Sequence, residues 1–215
     1  MASNRAVLSV VRNAALLVLA AGLVVLAGCS CKEYEEQIMQ LDQQIATLQQ
    51  QITERETTVA ECEEVAAELR ENLRAVREEN AALVEQTEEV VYVTLDEKLT
   101  FGDSQTMILD TMEPTLRAVA ETIRNRPDWE VFVAGYTDER KILEEFQDRF
   151  PSNWELGAHR AAAVVRYLTN QFDLPAERFG VVSFGPFRPI TEPVDDAARA
   201  QNRVVRIFLH KATGI

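Results

Sequence analysis

The sequence predicts an α+β domain that follows a long helical coiled coil. Residues 90–215 alternate short β-branched segments with amphipathic segments in the order β-α-β-α-β-(α)-β, which fits a two-layer sandwich. Residues 32–89 contain almost no glycine, proline or aromatic residue and repeat apolar residues every seven positions. A chain of 215 residues is long enough for one such core plus an extended segment.

The predicted coiled-coil helix covers residues 38–89 in one unbroken heptad register. Its a positions are Ile38, Ile45, Ile52, Val59, Ala66, Leu73, Asn80 and Thr87, and its d positions are Leu41, Leu48, Arg55, Cys62, Leu69, Val76, Leu83 and Val90. β-branched residues at a, leucine at d and Asn80 at a favour a parallel homodimer with a left-handed supercoil. A trimer, or packing against a helix of another protein, fits the same pattern.

Two d positions of this register are unusual. The charge of Arg55 must reach out of the seam to water. In a parallel dimer the two copies of Cys62 would face each other, so the sequence predicts either an interchain disulfide or a small buried thiol. At 1.5 Å per residue, ~53 helical residues would reach ~80 Å, which is suited to a spacer.

The segments after the helix are read from residue type and spacing. Strands are predicted at 90–95, 129–134, 181–184 and 204–209, and helices at 111–125, 152–169 and 195–201. Pro114 fits the first turn of its helix, where the missing N–H costs nothing. Ser152 and Glu155 have the spacing of a capping box, which places a helix start there. Residues 139–151 are predicted to be a charged connection.

The first residues have the pattern of a secretory signal. Arg5 and Arg12 precede an apolar run at 14–27, and Leu26-Ala27-Gly28-Cys29 ends it. This pattern resembles the lipobox of bacterial lipoproteins. The resemblance implies a signal peptide at 1–28, a diacylglyceryl group and an acylated amine on Cys29, and a short linker at 29–37. Ser30 then fits export to the outer membrane, facing the periplasm. The alternative is a transmembrane helix, for which the run is short.

Composition excludes several classes of partner. The formal net charge of −13 argues against nucleic acid, whose phosphates require a basic protein face. Two histidines and three scattered cysteines predict no metal site and no cofactor. No Ser-His or Cys-His pairing suggests a catalytic site, so the sequence predicts a binding protein rather than an enzyme. An envelope compartment would permit disulfides.

Four separated motifs occur in the globular part. They are Gly135-Tyr136-Thr137-Asp138, Asn153-x-x-Leu156, Arg160-Ala161 and Asn202-Arg203-x-Val205. In this order they resemble the OmpA-like C-terminal domain, which Pal-type lipoproteins and the periplasmic part of flagellar MotB share. The resemblance covers roughly residues 90–212 of a domain predicted at 90–215, and the segment 150–156 is closest to the MotB-like branch.

The resemblance implies non-covalent binding of peptidoglycan through the free amino-acid end of meso-diaminopimelate in its stem peptide. By motif, Asp138 would take the ammonium group and Arg160 the carboxylate, which a guanidinium binds in a two-pronged fork. The further candidate ligand-binding residues are Thr137, Asn153, Leu156 and Arg203. Without the resemblance, Asp138 would be a turn residue and Arg160 a solvated helix residue or the partner of Asp138.

The sequence departs from the family pattern at several points. Gly157 replaces a frequent serine, a second arginine is missing after Arg203, and Phe184-Gly185-Pro186 replaces Tyr-Gly-Glu.

Three functions compete as interpretations of this sequence. The first is a tether between the outer membrane and the cell wall. The second is a subunit of an envelope machine, such as a flagellar motor or secretion system, whose coiled coil binds partners. The third, an enzyme using Glu144 and Glu145, is disfavoured because these carboxylates fit a solvated loop.

Overall fold

The computed structural model describes residues 31–74, 82–101 and 106–212. The predicted signal peptide and the predicted lipidation site, Cys29, lie outside these residues. The chain divides into two units, residues 1–55 and residues 56–215. The described part of the first unit is helical throughout, and the second unit contains the sheet and the other helices that the structure describes.

Helix α1, Cys31–Asn72, crosses from the first unit into the second. In the first unit the predicted a and d residues Ile38, Leu41, Leu48 and Ile52 are exposed, as an apolar seam would be before it meets a partner. The presence of a long helix from Cys31 therefore agrees with the sequence-based prediction, and the self-association of this helix stays a prediction.

The second part of α1 differs from the prediction. Cys62, Ala66, Leu69 and Leu73 continue the a and d series, but their side chains are buried in the core of the domain. Ion pairs hold the same segment at its edges. Arg126 binds Glu68 at 2.5 Å and Lys211 binds Glu61 at 2.7 Å. The seven-residue period correctly marked the buried face of the helix, but its own domain covers that face.

The helix also ends earlier than predicted. It stops at Asn72, whereas the predicted coiled coil ran to residue 89, and residues 82–86 form a strand instead. This strand, β1 (Ala82–Gln86), pairs antiparallel with β2 (Val90–Asp96), with Val84 opposite Val93. Pairing with β2 satisfies the backbone N–H and C=O groups of this edge strand that point toward β2, so tertiary context overrides its helical pattern.

Five strands form one sheet in the order β1-β2-β5-β3-β4. The remaining three are β3 (Trp129–Tyr136), β4 (Phe179–Gly185) and β5 (Val204–Lys211). β3 and β4 run parallel, and every other neighbouring pair is antiparallel. The central strand β5 therefore lies between β2 and β3, which brings the ends of three strands to one edge of the sheet.

The helices complete a two-layer domain, which confirms the predicted fold class. They are α2 (Glu97–Phe101), α3 (Glu113–Arg124), α4 (Glu144–Gln147), α5 (Asn153–Phe172) and α6 (Asp196–Asn202), with short 3-10 turns at Asp110–Met112 and Ala176–Arg178. The main core combines the buried residues of α1, α3 and α5 with alternate residues of the sheet, such as Val93 and Ile207. The alternating residues Tyr136 and Phe208 face the other way, in a smaller cluster.

Candidate functional site

The site is built where strand β3 meets helix α5. Thr137 and Asp138 follow the last residue of β3 directly. Ser152 caps α5, because its hydroxyl accepts a hydrogen bond from the backbone N–H of Trp154. The capping box predicted from the sequence is therefore present.

Two glycines let α5 approach the sheet closely. A Cβ atom added to Gly135 would lie 2.0 Å from the carbonyl oxygen of Gly157, and one added to Gly157 would lie 2.4 Å from Oγ of Ser183. Gly135 has no room for a side chain because it would clash with the backbone of α5, and a side chain at Gly157 would displace the hydroxyl of Ser183. This contact explains why Gly157 stands where the family pattern often has serine. It also brings Arg160, one turn further along α5, to the edge of the sheet.

Four charged side chains meet at this edge in alternating order. Asp138 Oδ2 accepts a hydrogen bond from Arg203 Nη1 at 2.8 Å. Arg203 Nε lies 2.7 Å from Glu97 Oε2, and Glu97 Oε1 accepts from Arg160 Nη2. The row Asp138–Arg203–Glu97–Arg160, here called the charge row, contains two anions and two cations.

Arg160 is the most deeply buried member of the charge row, with 3% of its surface exposed. Burial lowers the pKa of its guanidinium, while the neighbouring charges of Glu97 and Asp138 oppose that shift. For Arg203, burial also pulls the pKa down, but hydrogen bonds and charges from Asp138 and Glu97 outweigh it and raise the pKa. Both groups stay cationic, because a guanidinium does not deprotonate in proteins.

Asp138 serves two purposes in this arrangement. Its Oδ1 accepts a hydrogen bond from the backbone N–H of Arg140 at 3.2 Å, which is the turn role that its residue type suggested. Its Oδ2 faces Arg203 and lies 3.7 Å from Nε of Arg140. Asp138 and Arg160 thus belong to one connected group of charges, with Arg203 and Glu97 between them.

The other predicted site residues have different positions. Asn153 Nδ2 donates to the carbonyl oxygens of Asp138 at 3.3 Å and Arg140 at 2.8 Å, so it holds the site loop against α5. Leu156 is buried. Thr137 is buried, its N–H donates to the carbonyl of Gly185, and its hydroxyl makes no hydrogen bond to any described residue. The structure therefore gives Thr137 a backbone role at the strand end.

Sequence reasoning missed Glu97 and Arg140. Glu97 follows β2, and its N–H donates to the carbonyl oxygen of Arg203 at 3.0 Å. The antiparallel register of β2 and β5, in which Asp96 faces Val204, is the signal that could have placed it beside Arg203. Arg140 is half-exposed at the rim and binds Asp196 at 2.5 Å. The position of Arg140 beside Asp138 depends on the conformation of the loop that follows β3, for which the sequence carries no signal.

The remaining predictions concern cysteines, metals and membranes. Cys62 is a free, fully buried thiol, and burial raises its pKa. An interchain disulfide at Cys62 would require its helical segment to leave the domain core, which corrects the dimer-seam placement of this residue. Among the described residues, no cluster of histidine, cysteine and acidic side chains is arranged for a metal ion. None of the described helices is long and apolar enough to cross a membrane.

Comparison with known proteins gives a consistent set of relatives. Residues 100–203 match the model of the OmpA family. The protein YtxE of Bacillus subtilis is 32% identical over 125 residues, which cover 58% of this chain and 50% of that protein. A peptidoglycan-associated lipoprotein of Legionella pneumophila is 36% identical over 100 residues, covering 46% of this chain and 52% of that protein. The chain spans about half the length of these curated relatives.

Solved structures share the fold. A MotB-like protein from Desulfovibrio vulgaris has a TM-score of 0.66 at 20% identity, covering 74% of this chain and 99% of that one. The cell wall anchor of the type VI secretion system from Pseudomonas aeruginosa has a TM-score of 0.59 at 26% identity, covering 67% and 97%. The periplasmic domain of Helicobacter pylori MotB has a TM-score of 0.55 at 26% identity, covering 64% and 83%.

Proposed function

The chain carries an OmpA family domain at residues 100–203, and from this premise we propose that it binds peptidoglycan non-covalently at the charge row. The Legionella pneumophila relative named as a peptidoglycan-associated lipoprotein supports a role at the cell wall. The observation that carries the proposal is the alternating row Asp138–Arg203–Glu97–Arg160 at one edge of the sheet. We propose binding as the chemistry of this site, because its paired charges suit a zwitterionic ligand.

Charge balance favours a zwitterionic ligand. The charge row is formally neutral, and its members are largely buried, so an added single charge would lack compensation. The free end of meso-diaminopimelate carries one ammonium and one carboxylate, which leave the total charge unchanged. The ammonium would pair with Asp138, and the carboxylate would take a guanidinium edge of Arg160 or Arg203.

Access to the row would come from the side of Arg140. Its side chain is 53% exposed and touches both Asp138 and Asp196, whereas Asp138 itself is only 10% exposed. An ammonium that approaches Asp138 would therefore displace a solvated arginine, which costs little because exposed ion pairs are weak. We infer that Arg140 moves aside when the stem peptide binds.

The N-terminal part of the chain would hold this domain at the membrane. The lipobox-like segment ending at Cys29 supports lipid anchoring at the outer membrane, facing the periplasm. The exposed seam of α1 before Arg55 supports a parallel homodimer. Because α1 buries its apolar stripe in the domain from Cys62 onward, the coiled coil would be confined to the first unit, with the charged Arg55 at its end.

The test is co-sedimentation of the full chain, purified in detergent, with isolated peptidoglycan sacculi. Asp138→Asn and Arg160→Gln should each reduce the bound fraction by at least tenfold, because each removes one charge that the zwitterion needs. Asp128→Asn, at the turn before β3, is the matched control and should bind like the unchanged chain. If both site variants bind peptidoglycan fully, with folding intact by circular dichroism, the charge row is not the peptidoglycan-binding site.

An accessory subunit of an envelope machine is the second candidate. Its support is the structural likeness to the type VI secretion cell wall anchor and to MotB, each at 26% identity. In that case α1 would bind a partner protein rather than a second copy. Sedimentation equilibrium of the full chain distinguishes the two: a dimer supports the tether, and a monomer that retains wall binding supports the subunit.

A further inference from the structure

Two large aromatic side chains lie open to solvent on elements that adjoin the loop carrying Asp138. Trp154 is 45% exposed and Phe187 is 68% exposed. Their rings stack with centroids 5.3 Å apart and an interplanar angle of 24°. This pair is called the aromatic platform here. Exposing two aromatic rings forfeits the burial that normally stabilises them, so an exposed pair of this kind is characteristic of a contact surface.

The fold fixes the platform next to the site. Trp154 directly follows Asn153, whose side chain holds the carbonyl oxygens of Asp138 and Arg140. Gly185, at the end of β4, accepts a hydrogen bond from the N–H of Thr137 at 3.1 Å. Thus both elements that carry the platform are tied by hydrogen bonds to the loop that carries Asp138.

Gly185 also supports the rings themselves. It has a φ of +51°, and a Cβ atom added there would lie 3.6 Å from Cδ2 of Trp154 and 3.7 Å from Cδ2 of Phe187. The left-handed backbone at Gly185 turns the chain so that the Phe187 ring lies against Trp154 of α5. The N–H of Phe187 donates to the carbonyl of Phe184 in β4, which closes this turn. The two rings are therefore held in place on a turn and a capped helix.

We propose that the aromatic platform is a saccharide subsite that binds an amino-sugar ring of the glycan strand. This inference rests on the proposed function, because the sugar would be the one that bears the stem peptide held at the charge row. The faces of aromatic rings are electron-rich, and the axial C–H bonds of a pyranose carry partial positive charge, so the two stack. A sugar ring is uncharged, which suits a surface without a formal charge of its own.

The experiment compares two soluble probes with the full chain in detergent, by isothermal titration calorimetry. One probe is the disaccharide-tetrapeptide released from sacculi by a muramidase, and the other is the same tetrapeptide after an amidase has removed the sugars. The unchanged chain should bind the disaccharide-tetrapeptide about threefold to tenfold more tightly, as expected for one aromatic stacking contact.

The variants separate stacking from general apolarity. Trp154→Leu and Phe187→Leu should remove the preference for the sugar-bearing probe and leave the affinity for the tetrapeptide unchanged. Phe187→Tyr keeps a ring and should keep the preference. Phe132→Leu is the control, since Phe132 is also an exposed aromatic residue but lies on the open face of β3, stacked on His210.

Each outcome decides one of the two proposals. Equal affinity of the unchanged chain for both probes overturns the saccharide subsite and leaves the proposed function standing. A loss of affinity for both probes in Phe187→Leu shows that the ring supports the peptide site, which also overturns the subsite. If neither probe binds, both proposals fail together.

Discussion

Glu97 is expected to be the residue on which the charge row depends. Its carboxylate accepts hydrogen bonds from both Arg160 and Arg203, and its side chain is 16% exposed. Replacing it with alanine would remove the carboxylate that pairs with the buried Arg160. Hydrogen bonds to charged groups contribute ~1.5–3 kcal/mol each, and breaking a buried pair costs ~3–5 kcal/mol. We expect Glu97→Ala to lower the free energy of unfolding by about 3–5 kcal/mol.

Two further variants test the cause of this loss. Glu97→Gln keeps the shape and one acceptor oxygen, so it should cost about half as much. Combining Glu97→Gln with Arg160→Met removes both charges, and the double variant should be more stable than the sum of the two single losses predicts. Glu113→Gln is the matched control, because its pair with Arg117 is about half exposed and should change the free energy of unfolding very little.

The assay is urea unfolding followed by tryptophan fluorescence. Both tryptophans of the chain, Trp129 and Trp154, lie in the sheet-containing unit and report on its unfolding. A loss below ~1 kcal/mol for Glu97→Ala, or losses that simply add in the double variant, would refute the reasoning. Either result would mean that Glu97 is no more than an exposed neighbour of the two arginines.

Two more predictions concern α1 and α5. Leu69→Ala should lower the free energy of unfolding by about 2–5 kcal/mol, because the side chain is fully buried. Leu48 is also at a d position but is exposed. Leu48→Ala should therefore leave the free energy of unfolding unchanged and weaken self-association, which ultracentrifugation measures. Ser152→Ala should cost about 1 kcal/mol at neutral pH through the lost helix cap. The Ser152 hydroxyl also lowers the pKa of Glu155 through a hydrogen bond to its carboxylate. The stabilisation from this second hydrogen bond is present above the ordinary pKa range of glutamate and is lost as the pH falls through the lowered pKa. The difference in free energy of unfolding between the unchanged chain and Ser152→Ala, measured by urea unfolding, should therefore narrow as the pH falls below the ordinary range of glutamate.

Much of the fold followed from local pattern. The strands at 129–134 and 204–209 and the helices at 111–125 and 152–169 lie within a few residues of β3, β5, α3 and α5. Each has a period, a cap or a β-branched run that depends only on near neighbours in the chain. The motifs also led to Asp138, Arg160 and Arg203, and the structure brings these three together with Glu97.

Pairing partners were decided by the tertiary structure. The heptad period determined that Leu69 and Cys62 face an apolar surface, but a period carries no information about what that surface is, and here it is the chain's own core. Likewise, the motif resemblance predicted that Arg160 binds a carboxylate, while the tertiary structure decided that the carboxylate of Glu97 pairs with it. Local spacing determines which face of an element must be covered, whereas contacts between residues far apart in the chain decide what covers it.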